Sequence, residues 1–141
     1  MFVVKRFTFQ DAALKAQAFA IRHAVFVREQ GIAAALEYDQ EEAAHHYLLL
    51  HDHQPVATAR WRKTGPGIKL ERFAVLSPCR NRGIGAFLLQ EVLSDVSAAG
   101  EMIYLHAQLR AVPFYERNGF HQSGNPFTEA GLAHFLMEYA V

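Results

Sequence analysis

Arg80-Asn81-Arg82-Gly83-Ile84-Gly85 is the stretch of this 141-residue chain that decides the fold. It follows an apolar strand-like run, Phe73-Ala74-Val75-Leu76, and it leads into a helical run that begins at Ala86. A loop between strand and helix with glycines at alternate positions exposes consecutive backbone N–H groups, with the positive end of the helix dipole behind them. Glycine lets a bulky phosphate approach the backbone because it has no Cβ. The stretch therefore predicts a diphosphate-binding loop.

Two better-known phosphate loops do not fit this stretch. A P-loop requires Gly-x-x-x-x-Gly-Lys-Ser/Thr, which occurs nowhere in the chain. The dinucleotide fingerprint Gly-x-Gly-x-x-Gly fails because position 88 is Leu. The pattern that the stretch does match is Arg/Gln-x-x-Gly-x-Gly/Ala, which follows a strand that ends in Ala-Val. A strand-to-helix turn that binds no ligand is the alternative that this pattern alone leaves open.

The composition indicates one folded domain with balanced charge, residues 1–141. The hydrophobic fraction of 51% is high enough for a packed core and too high for disorder. Fourteen basic residues balance fourteen acidic ones, so no general field attracts nucleic acid or an anionic membrane. The apolar runs are shorter than a membrane span, and the N-terminus does not have the pattern of a signal peptide. A single cysteine, Cys79, favours a cytoplasmic location.

Apolar periodicity predicts a mixed α/β fold. Strand patterns cover 2–7, 46–51, 56–62, 68–76, 102–107, 120–123 and 133–139. Helical spacing covers 11–30, 86–100 and 111–118. The resulting order, β-α-(α)-β-β-β-α-β-α-β-β, favours a mixed central sheet flanked by helices on both faces.

Further motifs give this element order a family likeness. Pro78 precedes the loop, and Phe114-Tyr115-Glu116-Arg117-Asn118-Gly119-Phe120 follows in the short third helix. Together with the glycine loop, these motifs resemble the GNAT superfamily of N-acetyltransferases. The flanking segments, Ile21 to Gly31 and Phe127 to Met137, are similar to the ElaA/YjcF-like bacterial branch of that superfamily. The likeness covers nearly the whole chain.

The resemblance implies an enzyme that moves the acetyl group of acetyl-CoA to a primary amine by direct attack in a ternary complex. It also implies that the strands at 68–76 and 102–107 splay apart and admit the pantetheine arm. The implied cofactor contacts are Phe73, Ala74, Val75, Arg80, Asn81, Arg82, Gly83, Ile84, Gly85, Ala86 and Gln108. Gln108 stands where many members have Asn. The side chains of Arg80 and Arg82 either add charge to the loop or remain solvated.

Two residues are candidates for the chemistry. Tyr115 matches the family tyrosine that protonates the leaving sulfur, although its helical spacing also fits a packed core aromatic. Period-two alternation places Glu71 on the strand face of Phe73 and Val75. Glu71 is either the base that deprotonates the amine or a carboxylate paired with an arginine. The alternatives for the base are Glu129, His134 and a chain of water molecules.

The acceptor cleft implied by the resemblance lies near the first helix and the terminal segment. Its predicted residues are Arg22, Phe26, Glu29, Gln30, Glu37, Asp39, Glu129 and His134. An acidic wall at Glu37 and Asp39 suits a cationic amine, but this stretch can equally be a solvated loop. The predicted partner is a small-molecule or peptide amine, with no nucleic acid and no membrane. A homodimer and a monomer both remain open.

A metal site and a CoA-binding sensor are the two alternatives to an N-acetyltransferase. Eight histidines invite a metal site, but no Cys or carboxylate completes a tetrahedral ligand spacing, so no metal is expected. A CoA-binding sensor without turnover would carry the same glycine loop. Only Tyr115 and a base distinguish the enzyme from the sensor.

Overall fold

The computed structural model describes residues 1–32 and 43–140. Its strands are β1 (Phe2–Phe7), β2 (His45–His51), β3 (Gln54–Lys63), β4 (Ile68–Val75), β5 (Ile103–Gln108), β6 (Phe120–Glu129) and β7 (Leu132–Tyr139). Its α-helices are α1 (Ala12–Arg22), α2 (Ile84–Val96) and α3 (Val112–Arg117). The seven strands form one sheet in the order β1-β2-β3-β4-β5-β7-β6. The predicted mixed α/β class is confirmed. Glu37 and Asp39, predicted in the acceptor wall, lie outside the described residues.

The first helix changes its winding halfway along. Asp11 caps α1, and its carboxylate accepts a hydrogen bond from the backbone N–H of Leu14 at 3.1 Å. After α1 the chain continues as a π-helix over His23–Glu29. Val25 and Phe26 are the buried residues of this π-helical segment, whose wider turns shift the helical register. The predicted helix over 11–30 is therefore one continuous run with a shift of register.

Helices pack on both faces of the sheet. On one face, α2 contributes Leu88, Leu89 and Val92 to the larger core. On the opposite face, α1 contributes Ala18 and Ile21 to a smaller core. The predicted placement of helices on both faces is confirmed. No helix within residues 1–32 and 43–140 is long and apolar enough to cross a membrane.

β4 and β5 are parallel neighbours that pair over a short stretch. Ile68–Leu70 pairs with Ile103–Leu105, and the register ends there. Each strand stays paired with its other neighbour beyond that point. Glu71–Val75 and His106–Gln108 therefore face each other across a gap, and the predicted splay is confirmed. The gap leaves main-chain groups of β4 open to a ligand that binds like a strand.

A β-bulge in β4 overturns the alternation expected for this strand. The cross-strand pairs on either side of the bulge are Arg60–Glu71 and Thr58–Ala74. β4 thus carries one more residue than β3 in this interval, and Arg72 there takes a left-handed φ of 57°. Glu71 consequently shares a face with Ala74. The prediction that Glu71 shares the face of Phe73 and Val75 was wrong because alternation cannot cross a bulge.

Gly67 lies where the chain enters β4 beside the start of β5. A Cβ at this position would stand 2.3 Å from the carbonyl oxygen of Met102. We expect Gly67→Ala to lower the free energy of unfolding by about 1–3 kcal/mol because the backbone must move to relieve the clash. Urea denaturation measures the change. Gly65→Ala is the matched control, since a Cβ there meets nothing within 4 Å. Equal stability of the two variants would contradict the packing described.

Candidate active site

The loop between β4 and α2 has the geometry of an anion site. Gly83 caps α2 with a φ of 78°, and Asn81 is also left-handed at 63°. The N–H of Phe87 donates to the carbonyl of Gly83 at 3.0 Å, which closes the first helical turn. The amides of 84–86 therefore have no partner within the helix, as at any helix N-terminus. The predicted loop presents its amides without an obstructing side chain at Gly83.

A cavity of about 570 Å³, the cofactor cavity, joins this loop to the gap beside β4. Its lining includes the predicted residues Phe73, Ala74, Val75, Arg80, Asn81, Gly83, Ile84, Gly85 and Ala86. A Cβ on Gly85 would approach the Phe114 ring to 3.4 Å and fill the space beside the amides. The glycine loop, the helix terminus and the open strand edge together fit a diphosphate followed by a slender, strand-like arm.

A second cavity of about 330 Å³, the acceptor cavity, adjoins the first. The predicted residues that line it are Phe26, Gln30, Glu71, Phe73, Gln108, Tyr115, Glu129 and His134. Both cavities share the side chains of Gln30, Phe73, Arg110, Ala111 and Tyr115. Molecules bound in the two cavities would therefore meet beside Tyr115.

Tyr115 is held at this junction by aromatic packing. Its ring centroid lies 6.4 Å from that of Phe73, 5.1 Å from that of Phe114 and 5.7 Å from that of Phe120. The residue is 9% exposed, and burial raises the pKa of its hydroxyl. The phenol therefore keeps its proton throughout the neutral pH range. The two alternatives considered for Tyr115, a packed aromatic and a proton donor, are compatible in this geometry.

Glu71 is a buried carboxylate surrounded by basic side chains. One of its oxygens lies 3.2 Å from Nη2 of Arg60, and the other is bound by Nε of Arg62. The nearest side-chain nitrogens of Lys69 and Arg72 are each 3.9 Å from it. Burial acts to raise the pKa of Glu71, but the four cations outweigh burial and hold the pKa below its usual value. An ionised carboxylate bound on both oxygens is a weak proton acceptor.

Glu129, at the end of β6, lies between two histidines of the acceptor cavity. Nδ1 of His106 donates to one carboxylate oxygen at 3.0 Å, and Nε2 of His134 lies 3.7 Å from the other. The hydrogen bond from His106 lowers the pKa of Glu129 to about 2, so this carboxylate is ionised at neutral pH. Nδ1 of His134 donates to the carbonyl of Leu132 at 2.9 Å, which fixes the orientation of that ring.

Arg80 lines the cofactor cavity but is already bound to protein groups. Its guanidinium makes two hydrogen bonds of 2.9 Å to the carboxylate of Glu29, and Nε donates to the carbonyl of Val75 at 2.9 Å. The hydrogen bonds from Arg80 lower the pKa of Glu29. Glu29, predicted at the acceptor cleft, thus contacts the cofactor loop. Arg82, predicted beside the cofactor, is exposed and lines neither cavity.

Gln108 and Arg22 also lie at positions other than the predicted ones. Gln108, predicted beside the cofactor, lines the acceptor cavity. Its side-chain amide donates to Oε1 of Gln30 at 2.7 Å and accepts from Nε of Arg110 at 3.2 Å. Arg22, predicted in the acceptor cleft, is buried with its guanidinium 5.0 Å from the centre of the Phe19 ring, and it lines neither cavity.

Five polar residues of the acceptor cavity were not predicted from sequence. They are Arg62, Lys69, Arg72, His106 and Arg110. A signal existed for Lys69, because a charged residue inside a central strand is unusual. The same signal existed for Arg72, which regular alternation would assign to the buried face of Ile68, Leu70 and Ala74. Only the bulge brings it to the cavity.

Comparison with known proteins shows the family and the fold. A family model described as the acetyltransferase (GNAT) domain matches residues 10–141. The N-acetyltransferase YjcF of Bacillus subtilis is 39% identical over 126 residues, which cover 85% of this chain and 88% of YjcF. Escherichia coli ElaA has a similar fold, with a TM-score of 0.86 at 23% identity over 99% of this chain and 100% of ElaA. A GNAT family acetyltransferase of Elizabethkingia anophelis, solved with acetyl-CoA bound, has a TM-score of 0.75 at 13% identity. The match covers 99% of this chain and 98% of that protein.

The splayed sheet and the two joined cavities define an acyltransferase of the α/β class. The chain belongs to the GNAT acetyltransferase family. It is an N-acetyltransferase, and the cosubstrate of its family is acetyl-CoA. The predicted resemblance, including the likeness to ElaA and YjcF, is confirmed.

Proposed function

We propose that this enzyme transfers the acetyl group of acetyl-CoA directly to a primary amine while both substrates are bound. The observation that carries the proposal is the junction of the two cavities at Tyr115. A thioester in one cavity and an amine in the other would lie in contact there. Direct attack within such a complex requires no covalent enzyme intermediate.

The cofactor cavity divides naturally into a charged end and a strand-like end. The main-chain amides of 81–86 would hold the diphosphate at the N-terminus of α2. The open edge of Phe73–Val75 would pair with the peptide-like groups of the pantetheine arm. In this arrangement the N–H of Val75 donates a hydrogen bond to the thioester carbonyl and polarises it. Bound acetyl-CoA supplies both this carbonyl and the thiol leaving group.

Tyr115 is our candidate for the proton donor to the leaving sulfur. A leaving thiolate needs a neutral donor close to it, and burial keeps the phenol protonated. The packing of its ring against three phenylalanines restricts where the hydroxyl can point. Because the hydroxyl already points in one direction, Tyr115 can donate its proton in the transition state without a change of conformation.

We place the base that deprotonates the amine at His106. Glu129 accepts a hydrogen bond from Nδ1 of His106, and this bond leaves Nε2 as the proton acceptor in the acceptor cavity. Glu71 stays a prediction for this role, but its two guanidinium contacts favour a purely electrostatic one. Glu129 and His134, the other predicted alternatives, would then support the imidazole rather than replace it.

The loss of kcat/KM in single variants tests the assignment of the base. We expect His106→Gln to lower kcat/KM by about a hundredfold, because the imidazole that accepts the proton is gone. His121→Gln is the matched control, since His121 lies on β6 and lines neither cavity. If His106→Gln keeps the kcat/KM of the parent protein and Glu71→Gln loses it, the base is Glu71.

Steady-state kinetics with a panel of amines tests the proposed function itself. Thiol release is measured while acetyl-CoA and the amine are varied together, and the acetylated product is identified by mass spectrometry. Intersecting reciprocal plots are expected for attack within a ternary complex, whereas parallel plots would indicate an acyl-enzyme. Stoichiometric binding of acetyl-CoA without thiol release on any amine would instead favour the sensor.

A further inference from the structure

Glu29 joins the end of the π-helix to the loop between β4 and α2. Its two carboxylate oxygens accept hydrogen bonds of 2.9 Å from Nη1 and Nη2 of Arg80, which lies 51 residues further along the chain. Two parallel hydrogen bonds fix the orientation of a guanidinium against a carboxylate. The same guanidinium donates through Nε to the carbonyl of Val75 at 2.9 Å. The pair therefore holds the end of β4, the loop and the end of the π-helix against one another.

The next residue joins the π-helix to the other side of the gap in the sheet. Oε1 of Gln30, the C-cap of the π-helix, accepts a hydrogen bond of 2.7 Å from the side-chain amide of Gln108 at the end of β5. Glu29 and Gln30 thus connect the same point of the chain to β5 on one side and to the loop after β4 on the other. The end of the π-helix spans the two strands between which the pantetheine arm is proposed to lie.

The π-helix also forms part of the acceptor cavity. Phe26 and Gln30 line that cavity, and Gln30 lines the cofactor cavity as well. Glu29 itself lines neither cavity. It is therefore placed to influence the substrates through the residues that it holds, and not by touching a substrate.

The winding and the packing of this segment make its position sensitive to such contacts. π-Helical turns are rare and occur mostly at functional sites. Of the seven residues of the π-helix, Val25 and Phe26 are buried, and segments with few buried side chains open readily. The side chains of Glu29 and Arg80 are 37% and 38% exposed, and exposed ion pairs contribute little to the stability of a whole protein. The pair is therefore expected to affect the placement of the segment more than the stability of the fold.

We propose that Glu29 is a positioning residue that couples the two substrate sites. Coenzyme A on the loop holds Arg80 in place, and Arg80 holds Glu29 and the π-helix in the position that shapes the acceptor cavity. The inference rests on the proposed function and concerns how its acceptor site is ordered. A segment that the first substrate has ordered costs less free energy to order when the second one binds. Acetyl-CoA should thus raise the affinity for the amine, and the amine should raise the affinity for acetyl-CoA by the same factor.

Removing the charge of Glu29 should affect the two substrates differently. We expect Glu29→Gln to raise KM for the amine about threefold to tenfold, because the segment that lines the acceptor cavity loses its bidentate contact. The affinity for acetyl-CoA alone should be unchanged or higher, since the variant removes a negative charge beside the loop that is proposed to hold the diphosphate. A variant that merely destabilised the fold would weaken the binding of both substrates. Thiol release with the fastest amine of the panel and calorimetry with acetyl-CoA measure the two effects.

Glu101→Gln is the matched control for this variant. Glu101 pairs with Lys63 at 3.0 Å, and its side chain is 36% exposed, close to the value for Glu29. Glu101 lines neither cavity, so its variant should keep the parent values for both substrates. The same KM for the amine in Glu29→Gln as in Glu101→Gln would contradict the positioning role.

Hydrogen exchange with coenzyme A as the ligand tests the coupling even if no amine of the panel turns over. In the parent protein, coenzyme A should slow exchange about threefold or more at the amides of 84–87 and also at those of 26–30. In Glu29→Gln the protection of 84–87 should persist, and most of the protection of 26–30 should be lost.

Two results of the exchange experiment would overturn the proposal and leave the proposed function intact. One is equal protection of 26–30 in the parent protein and in Glu29→Gln. The other is protection of 84–87 in the parent protein without any protection of 26–30. Coenzyme A that fails to protect 84–87 in the parent protein would instead refute the cofactor site, and with it the inference that rests on that site.

Discussion

Replacing Gly83 by glutamate should weaken the binding of acetyl-CoA by at least about a hundredfold. The new side chain would bring a negative charge to the amides proposed to hold the diphosphate, and those amides form charge-assisted hydrogen bonds. A hundredfold change corresponds to about 3 kcal/mol, which is the order of one or two such bonds. Calorimetric titration with acetyl-CoA measures the effect.

Gly100→Glu is the matched control for this variant. Gly83 and Gly100 are both left-handed, with φ of 78° and 70°, and a Cβ at either would meet nothing within 4 Å. The two substitutions therefore impose similar backbone strain and the same charge, one before α2 and one beyond its end. We expect Gly100→Glu to bind acetyl-CoA like the parent protein. If Gly83→Glu also binds like the parent, the loop does not hold the diphosphate.

Replacing Tyr115 by phenylalanine should lower kcat by about tenfold to a thousandfold with little change in the affinity for acetyl-CoA. The substitution removes the proton donor and keeps the ring that packs among Phe73, Phe114 and Phe120. An effect on kcat without an effect on binding is the signature of an interaction made in the transition state. Thiol release at saturating acetyl-CoA measures it.

Tyr139→Phe is the matched control, because it removes a hydroxyl from the same aromatic cluster without removing the proposed proton donor. Both tyrosines pack against Phe120, with centroid distances of 5.7 Å for Tyr115 and 5.3 Å for Tyr139. Tyr139 lines neither cavity, so its variant should retain full activity. Full activity in Tyr115→Phe would remove this residue from the mechanism, and equal losses in both variants would indicate a general packing effect.

The parts of the site that follow from local chain geometry could be predicted from sequence. Alternate glycines between a strand and a helix predict the loop at 83–85, and the left-handed φ of 78° at Gly83 is a backbone that favours glycine. The family motif around Tyr115 predicts a place for it at the end of the proposed cofactor path, and the structure brings Tyr115 to the lining of both cavities. Helical and strand periodicity predicted the order of elements, and the resemblance to the GNAT superfamily implied the gap between β4 and β5.

The parts that depend on a local irregularity could not be predicted. A bulge at Arg72 breaks the period of two, so the face of Glu71 was wrongly assigned. The π-helix at His23–Glu29 changes the register in a similar way. The contact of His106 with Glu129 joins β5 to the end of β6 and depends on pairing across β7. No pattern within one segment encodes pairings of this kind.

The most direct test is a crystal structure of the protein with coenzyme A. The central claim is that the diphosphate lies on the amides at the start of α2 and that the thiol reaches the hydroxyl of Tyr115. We expect diphosphate oxygens within hydrogen-bonding distance of the N–H groups of 84–86, and the sulfur within hydrogen-bonding distance of the Tyr115 hydroxyl. A coenzyme A molecule that leaves these amides uncontacted, or whose sulfur lies away from the junction of the two cavities, would contradict the account.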